Sequence, residues 1–232
     1  MNTRTLGLLT AILIVVTVIW VGTTIATEAT APATDTLADK IASLDSPGAL
    51  YYVTYVNAAL ITVFAVAVFA GLYPVTRSRS PLWAVIAVAF VPIYGFGNLV
   101  AYLSQIFVVP HLLELHRSPE TMATAQVLLG LSLQTWPTSA IAALNLGSYA
   151  VLSIPSIIYG VVLAREEIRG LRIAGWLLGI SGVLSVLALI GVALNNAALR
   201  AMTLLGGAVF LFALIFMASE LLRKSTASPR LK

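Results

Sequence analysis

Residues 81–108 read PLWAVIAVAFVPIYGFGNLVAYLSQIFV, without one Asp, Glu, Lys, Arg or His. A helix crossing a hydrocarbon core of roughly 30 Å needs about 20 mostly apolar residues, and this block exceeds that length. Five more blocks read the same way, at 6–26, 50–73, 139–164, 173–194 and 202–222. In lipid the backbone must satisfy its own hydrogen bonds, so continuous apolar runs of this length are helices. A membrane β-barrel would instead alternate apolar and polar residues in short segments. The expected fold is all-α: an integral membrane helical bundle of six transmembrane helices, one domain over 1–232, with long outer loops at 27–49 and 109–138.

Composition agrees with the blocks. Hydrophobic residues make up 59% of the 232 and charged residues 9%, and the mean hydropathy is +0.99. A soluble domain carries roughly 25% charged residues. The chain has no cysteine, which removes disulfides, thiolate metal sites and cysteine nucleophiles together. The pI of 9.6 does not signal nucleic acid, because the cations lie between apolar blocks rather than in one patch.

Their distribution orients the chain. Arg4, Arg77, Arg79, Arg165, Arg169, Arg172, Arg223, Lys224, Arg230 and Lys232 fall on one side; only Lys40, Arg117 and Arg200 fall on the other. The rich side is cytoplasmic, which puts both termini inside a plasma membrane. Ser46-Pro47 and Ser80-Pro81 supply a capping hydroxyl and a first-turn proline at two helix starts. Trp20, Trp83, Trp136 and Trp176 lie near span ends, where amphipathic rings collect.

Three segments admit other readings. Residues 121–134 follow Ser118-Pro119-Glu120, a good helix start. As a seventh span they would move Arg165, Arg169 and Arg172 outside, but they are too short to cross, so an interfacial or re-entrant helix is expected. The first block could be a signal peptide, with Arg4 before it and Ala29 and Ala31 after it; its length favours a retained helix. In the outer loop, Leu37, Ile41 and Leu44 share the face of a short amphipathic helix, either a lid or an ordinary solvated loop. The tail from Lys224 to Lys232 is a basic topology anchor.

No ionisable residue sits near the middle of any span, whereas proton pumps and voltage sensors use such groups. A retinal protein needs a lysine within a span, and there is none. No phosphate loop, dinucleotide fingerprint or nucleophile elbow is present, and no cofactor is expected. Intramembrane polarity is neutral and striped. Span three carries Tyr94, Asn98, Tyr102 and Gln105 at helical spacing. Span four carries Asn145, Ser148, Tyr149, Ser153 and Ser156; span two carries Tyr51, Thr54, Tyr55 and Asn57. At about 1.5 Å per residue, Asn57, Asn98 and Asn145 reach similar depths. Asn57, Asn98, Tyr102, Gln105, Asn145 and Tyr149 are thus candidates for an outward-facing polar pocket for a small or lipid-like ligand. The competing reading is interhelical hydrogen bonding that fixes packing. Pro155 is expected to kink span four. Gly175 and Gly179 in span five permit close backbone approach, either within the chain or in a homo-oligomer.

Outside the membrane, His111, Glu114 and His116 are metal candidates, but His116 turns away from His111 on a helix and the His-Glu-x-x-His spacing is absent, so no metal is expected.

Leu72-Tyr73-Pro74-Val75, followed by Arg77, Arg79, Ser80 and Pro81, resembles the first inner hairpin of a bacterial and archaeal multi-pass family, domain of unknown function 4386. The six-span plan over 6–222 is similar too. The resemblance implies the fold and carries no activity or site residues. Read alone, the hairpin has a proline ending one helix, arginines at the inner surface and Ser-Pro starting the next. Together these readings describe a non-enzymatic membrane protein that binds a small or lipid-like molecule or assists another membrane complex. The alternatives are a passive facilitator and, more remotely, a membrane enzyme using the His111 segment.

Overall fold

The computed structural model describes residues 2–30 and 34–227. They form nine helices: α1 (Thr3–Thr30), α2 (Leu37–Ser43), α3 (Ala49–Arg77), α4 (Pro81–His116), α5 (Met122–Ser132), α6 (Ala140–Leu163), α7 (Arg169–Ala193), α8 (Ala197–Arg200) and α9 (Met202–Ala227). The protein is an all-α helical membrane bundle, and α1, α3, α4, α6, α7 and α9 are long and apolar enough to cross a bilayer. The seven-span alternative fails on length, because α5 has only 11 residues.

Two boundaries differ from expectation. Proline at position 74 does not end the second span; α3 continues through it to Arg77. Proline removes one backbone donor and crowds the preceding turn. The carbonyl that loses its helical donor is that of Ala70, one turn back, while the Thr76 hydroxyl donates to the carbonyls of Leu72 (3.0 Å) and Tyr73 (3.1 Å). Arg77 then lies over the Tyr73 ring, 5.7 Å from its centroid. The helix of the third span does not stop at Val108: residues 109–116 are the last two turns of α4. Burial explains the extension. Val109, Leu112 and Leu113 pack with Ile41 of α2 and Leu129 and Leu133 at α5, a small core that needs the helix to continue.

The expected amphipathic helix in the first outer loop is α2. Thr36 and Asp39 form a reciprocal capping box at its start, and Ile41 is its buried residue, with Leu37 and Leu44 packed against the same core.

The chain divides into two compact units. Unit one comprises Met1–Val15, Val63–Gly95 and Ser148–Lys232; unit two comprises Val16–Thr62 and Phe96–Gly147. Unit one is built on close helix contacts. A Cβ on Gly175 would meet Ala164 N at 2.3 Å, and one on Gly160 would meet Gly179 N at 2.6 Å, so α6 and α7 approach backbone to backbone. The Ser181 hydroxyl of α7 donates to the Gly206 carbonyl of α9 at 2.9 Å. Phe69 rests between Tyr159 and Phe210, with centroids at 6.0 and 6.2 Å. Arg79 pairs with Glu166 at 3.1 Å, joining the α3–α4 and α6–α7 turns. Unit two holds the short helices α2 and α5 and most of the polar residues described next.

Candidate functional site

Gln105 organises unit two. It lies on α4, 1% exposed, and a buried amide must find partners for its donors and acceptor. Its Nε2 donates to the Ser132 carbonyl at 2.7 Å and to Ser104 Oγ at 2.9 Å, while its Oε1 accepts from the Gln134 backbone N–H at 3.1 Å. Ser132 ends α5, where carbonyls lack helical partners, so this one side chain ties the end of the short helix to α4. The Gln105 backbone carbonyl in turn accepts from the Tyr51 hydroxyl at 2.9 Å, which brings in the first turn of α3.

Tyr51 and Tyr55 are one helical turn apart on α3 and pack edge to face, with centroids 4.8 Å apart. With Ala58 and Tyr102 they form a buried cluster against which Trp20 and Leu44 pack. Beside this cluster lies a cleft of about 400 Å³, within the range of small-molecule pockets, roughly 300–1,000 Å³. Its lining is mixed: apolar Trp20, Leu44, Pro47, Leu50 and Leu133 occur together with hydroxyls and amides of Thr24, Thr27, Tyr51, Thr54, Gln105 and Gln134 and with the ammonium-bearing Lys40. The cleft is therefore amphipathic, and every wall residue belongs to unit two.

The six sequence candidates fall into four places. Tyr102 and Gln105 line the cleft. Asn98 and Asn145 meet each other: Asn145 Nδ2 donates to Asn98 Oδ1 at 3.2 Å. Asn98 is fully buried, and its Nδ2 has no hydrogen-bond partner among the described residues. Asn57 donates to the Val53 carbonyl of its own helix at 2.9 Å and joins neither group. Tyr149 packs near Tyr94 in unit one, with centroids at 6.0 Å. The cleft draws on α1, α2 and the 44–48 turn, which the six-residue set did not include. Trp20, Thr24 and Thr27 recur at helical spacing on α1, as Tyr51, Thr54 and Tyr55 do on α3, and that shared periodicity is the signal that could have found the site.

His111 Nδ1 lies 3.9 Å from Glu114 Oε2, with both side chains largely exposed. Among the described residues no three His, Cys, Asp or Glu side chains gather where a metal could sit. Gly175 is buried against α6, whereas a Cβ on Gly179 would meet open space.

Comparison of the chain with protein-family models, with curated proteins and with solved structures finds no match. The class the fold defines is nonetheless plain: this is a multi-pass membrane protein.

Proposed function

We propose that this protein binds a small amphiphilic, lipid-like molecule in the unit-two cleft and performs no chemistry on it. The observation that carries the reading is the mixed character of the wall, which places apolar Trp20, Leu50 and Leu133 beside polar Thr24, Gln105 and Lys40 around about 400 Å³. Such a wall suits a molecule with one greasy and one polar end, since each buried polar group needs a partner and each apolar surface gains by leaving water. The distribution of Lys and Arg supports a plasma-membrane orientation with both termini in the cytoplasm and the cleft toward the outer side. Kinship with the family of domain of unknown function 4386, carried by Leu72–Pro81, belongs to the same proposal.

The test uses the full-length protein in phosphatidylcholine nanodiscs and two diazirine-bearing probes, myristate and myristyl alcohol. After illumination, peptide mass spectrometry should locate adducts on residues 43–55 and 133–135. A Cβ at Gly48 would enter open space, so Gly48→Trp should fill the cleft without disturbing backbone, and labelling there should vanish while thermal unfolding stays unchanged. Labelling spread over lipid-facing residues, equal in wild type and Gly48→Trp, would refute the cleft as a binding site.

A further inference from the structure

We infer that the cleft selects an amphiphile with an anionic head and a single chain, and that Lys40 receives the head; this rests on the cleft being the binding site. Among the described residues lining the cleft, Lys40 is the one that is formally charged. Two nearby acids, Asp39 and Asp45, have partners of their own. Asp39 holds the α2 capping box through Thr36, at 2.6 Å to its hydroxyl and 3.2 Å to its backbone N–H. Asp45 pairs with Arg117 at 3.1 Å. Among the described residues no carboxylate lies within ion-pairing distance of Lys40.

The wall hydroxyls point the same way. Those of Thr27, Ser43 and Thr54 donate to backbone carbonyls of Thr23, Lys40 and Leu50, and that of Tyr51 donates to Gln105. Donors already committed do not orient a ligand. Thr24 differs: its Oγ1 is buried without a partner among the described residues, and the carbonyl one turn back, Trp20 O, already accepts from Thr23. A third contribution comes from the start of α3, where Gly48 just before the helix and Leu50 within it form part of the wall. The start of a long helix carries a partial positive charge and favours anions. An ammonium with no carboxylate partner among the described residues, a hydroxyl with no partner among them and a helix start thus line one space, all suited to anionic oxygen. The volume, near the lower end for ligand pockets, fits one chain better than the two of a common phospholipid.

Anionic oxygen is shared by carboxylate and phosphate heads, so the experiment separates them. Apparent affinities are measured by photo-crosslinking in nanodiscs with diazirine myristate and diazirine myristyl alcohol, then by displacement with unlabelled myristate and with lysophosphatidic acid. A charge-assisted contact should favour myristate over the alcohol by about tenfold. Lys40→Gln should bring the ratio near unity, and Lys40→Arg should restore it. The stronger displacer identifies the head, carboxylate or phosphate. Equal labelling by both probes in wild type, or a preference unchanged in Lys40→Gln, overturns the anionic assignment while leaving the cleft intact as a site. Absence of labelling by either probe removes the cleft reading itself.

Discussion

Replacing Gly175 by alanine should lower the thermal stability of the protein, while the same change at Gly179, four residues along α7, should not. The two positions share a helix, a residue type and a membrane depth within about 6 Å, so helix propensity cannot separate them. Space does. At Gly175 the new methyl would lie 2.3 Å from Ala164 N, 2.6 Å from Leu163 C and 2.7 Å from Gly160 O. All three are backbone atoms of α6 or its end and cannot rotate away. Overpacking of this kind costs about 1–3 kcal/mol, against at most about 1 kcal/mol gained from the preference of helices for Ala over Gly. Rigid neighbours put the cost in the upper part of that range, for a net loss of about 2 kcal/mol. At about 2–4 °C per kcal/mol for a chain of this size, the midpoint should fall by about 4–8 °C. A methyl at Gly179 meets nothing within 4 Å, so Gly179→Ala should match wild type or gain slightly. The assay is tryptophan-fluorescence thermal unfolding in one detergent, with Gly160→Ala as a second clashing variant. If Gly175→Ala unfolded at or above the wild-type temperature, or if both α7 variants fell equally, the backbone-to-backbone packing of α6 on α7 would be wrong.

The Asn98–Asn145 pair should behave as packing glue with a flaw. Asn145→Leu leaves Asn98 buried with neither polar atom paired and should cost about 1–3 kcal/mol, whereas Asn98→Leu combined with Asn145→Leu should recover most of the loss; unfolding midpoints of the three variants decide, and a double variant worse than the single would contradict the account. Topology is directly testable because the chain has no native cysteine. In intact cells Ser118→Cys should react with a membrane-impermeant maleimide, and Ser78→Cys should react only after lysis; the reverse pattern would invert the assigned orientation.

The number and nature of the spans were legible because hydrocarbon imposes a simple rule of length and apolarity, which 81–108 meets without ambiguity. Helix ends were less so. Pro74 reads as a stop on propensity alone, yet α3 runs past it to Arg77, because a proline removes a single donor and leaves the following turn free to form. Val109, Leu112 and Leu113 look like the start of a loop until Ile41 and Leu129, far off in sequence, are seen to cover them. The site was half legible for a related reason. Depth along a helix can be counted from sequence, and it correctly brought Asn98 opposite Asn145. Rotation about the axis and the choice of neighbour cannot be counted so, and Asn57 turned out to bond its own helix. Lys40 was visible only as a topological charge because its loop had no predicted partner.

The extension of α4 to His116 carries the helix past the cleft residues Tyr102 and Gln105. Its 36 residues span about 54 Å at 1.5 Å per residue, far more than the roughly 30 Å of hydrocarbon. About 20 residues suffice for one crossing, so α4 is longer than a crossing requires. On the proposed orientation, Tyr102 and Gln105 would fall toward the headgroups, and the turns beyond them pack against α2 and α5. On the proposed function, a leaflet lipid would reach that level with its head uppermost. It would arrive sideways by two-dimensional diffusion, never leaving the bilayer, and its concentration at the entrance would be set by leaflet composition instead of aqueous solubility.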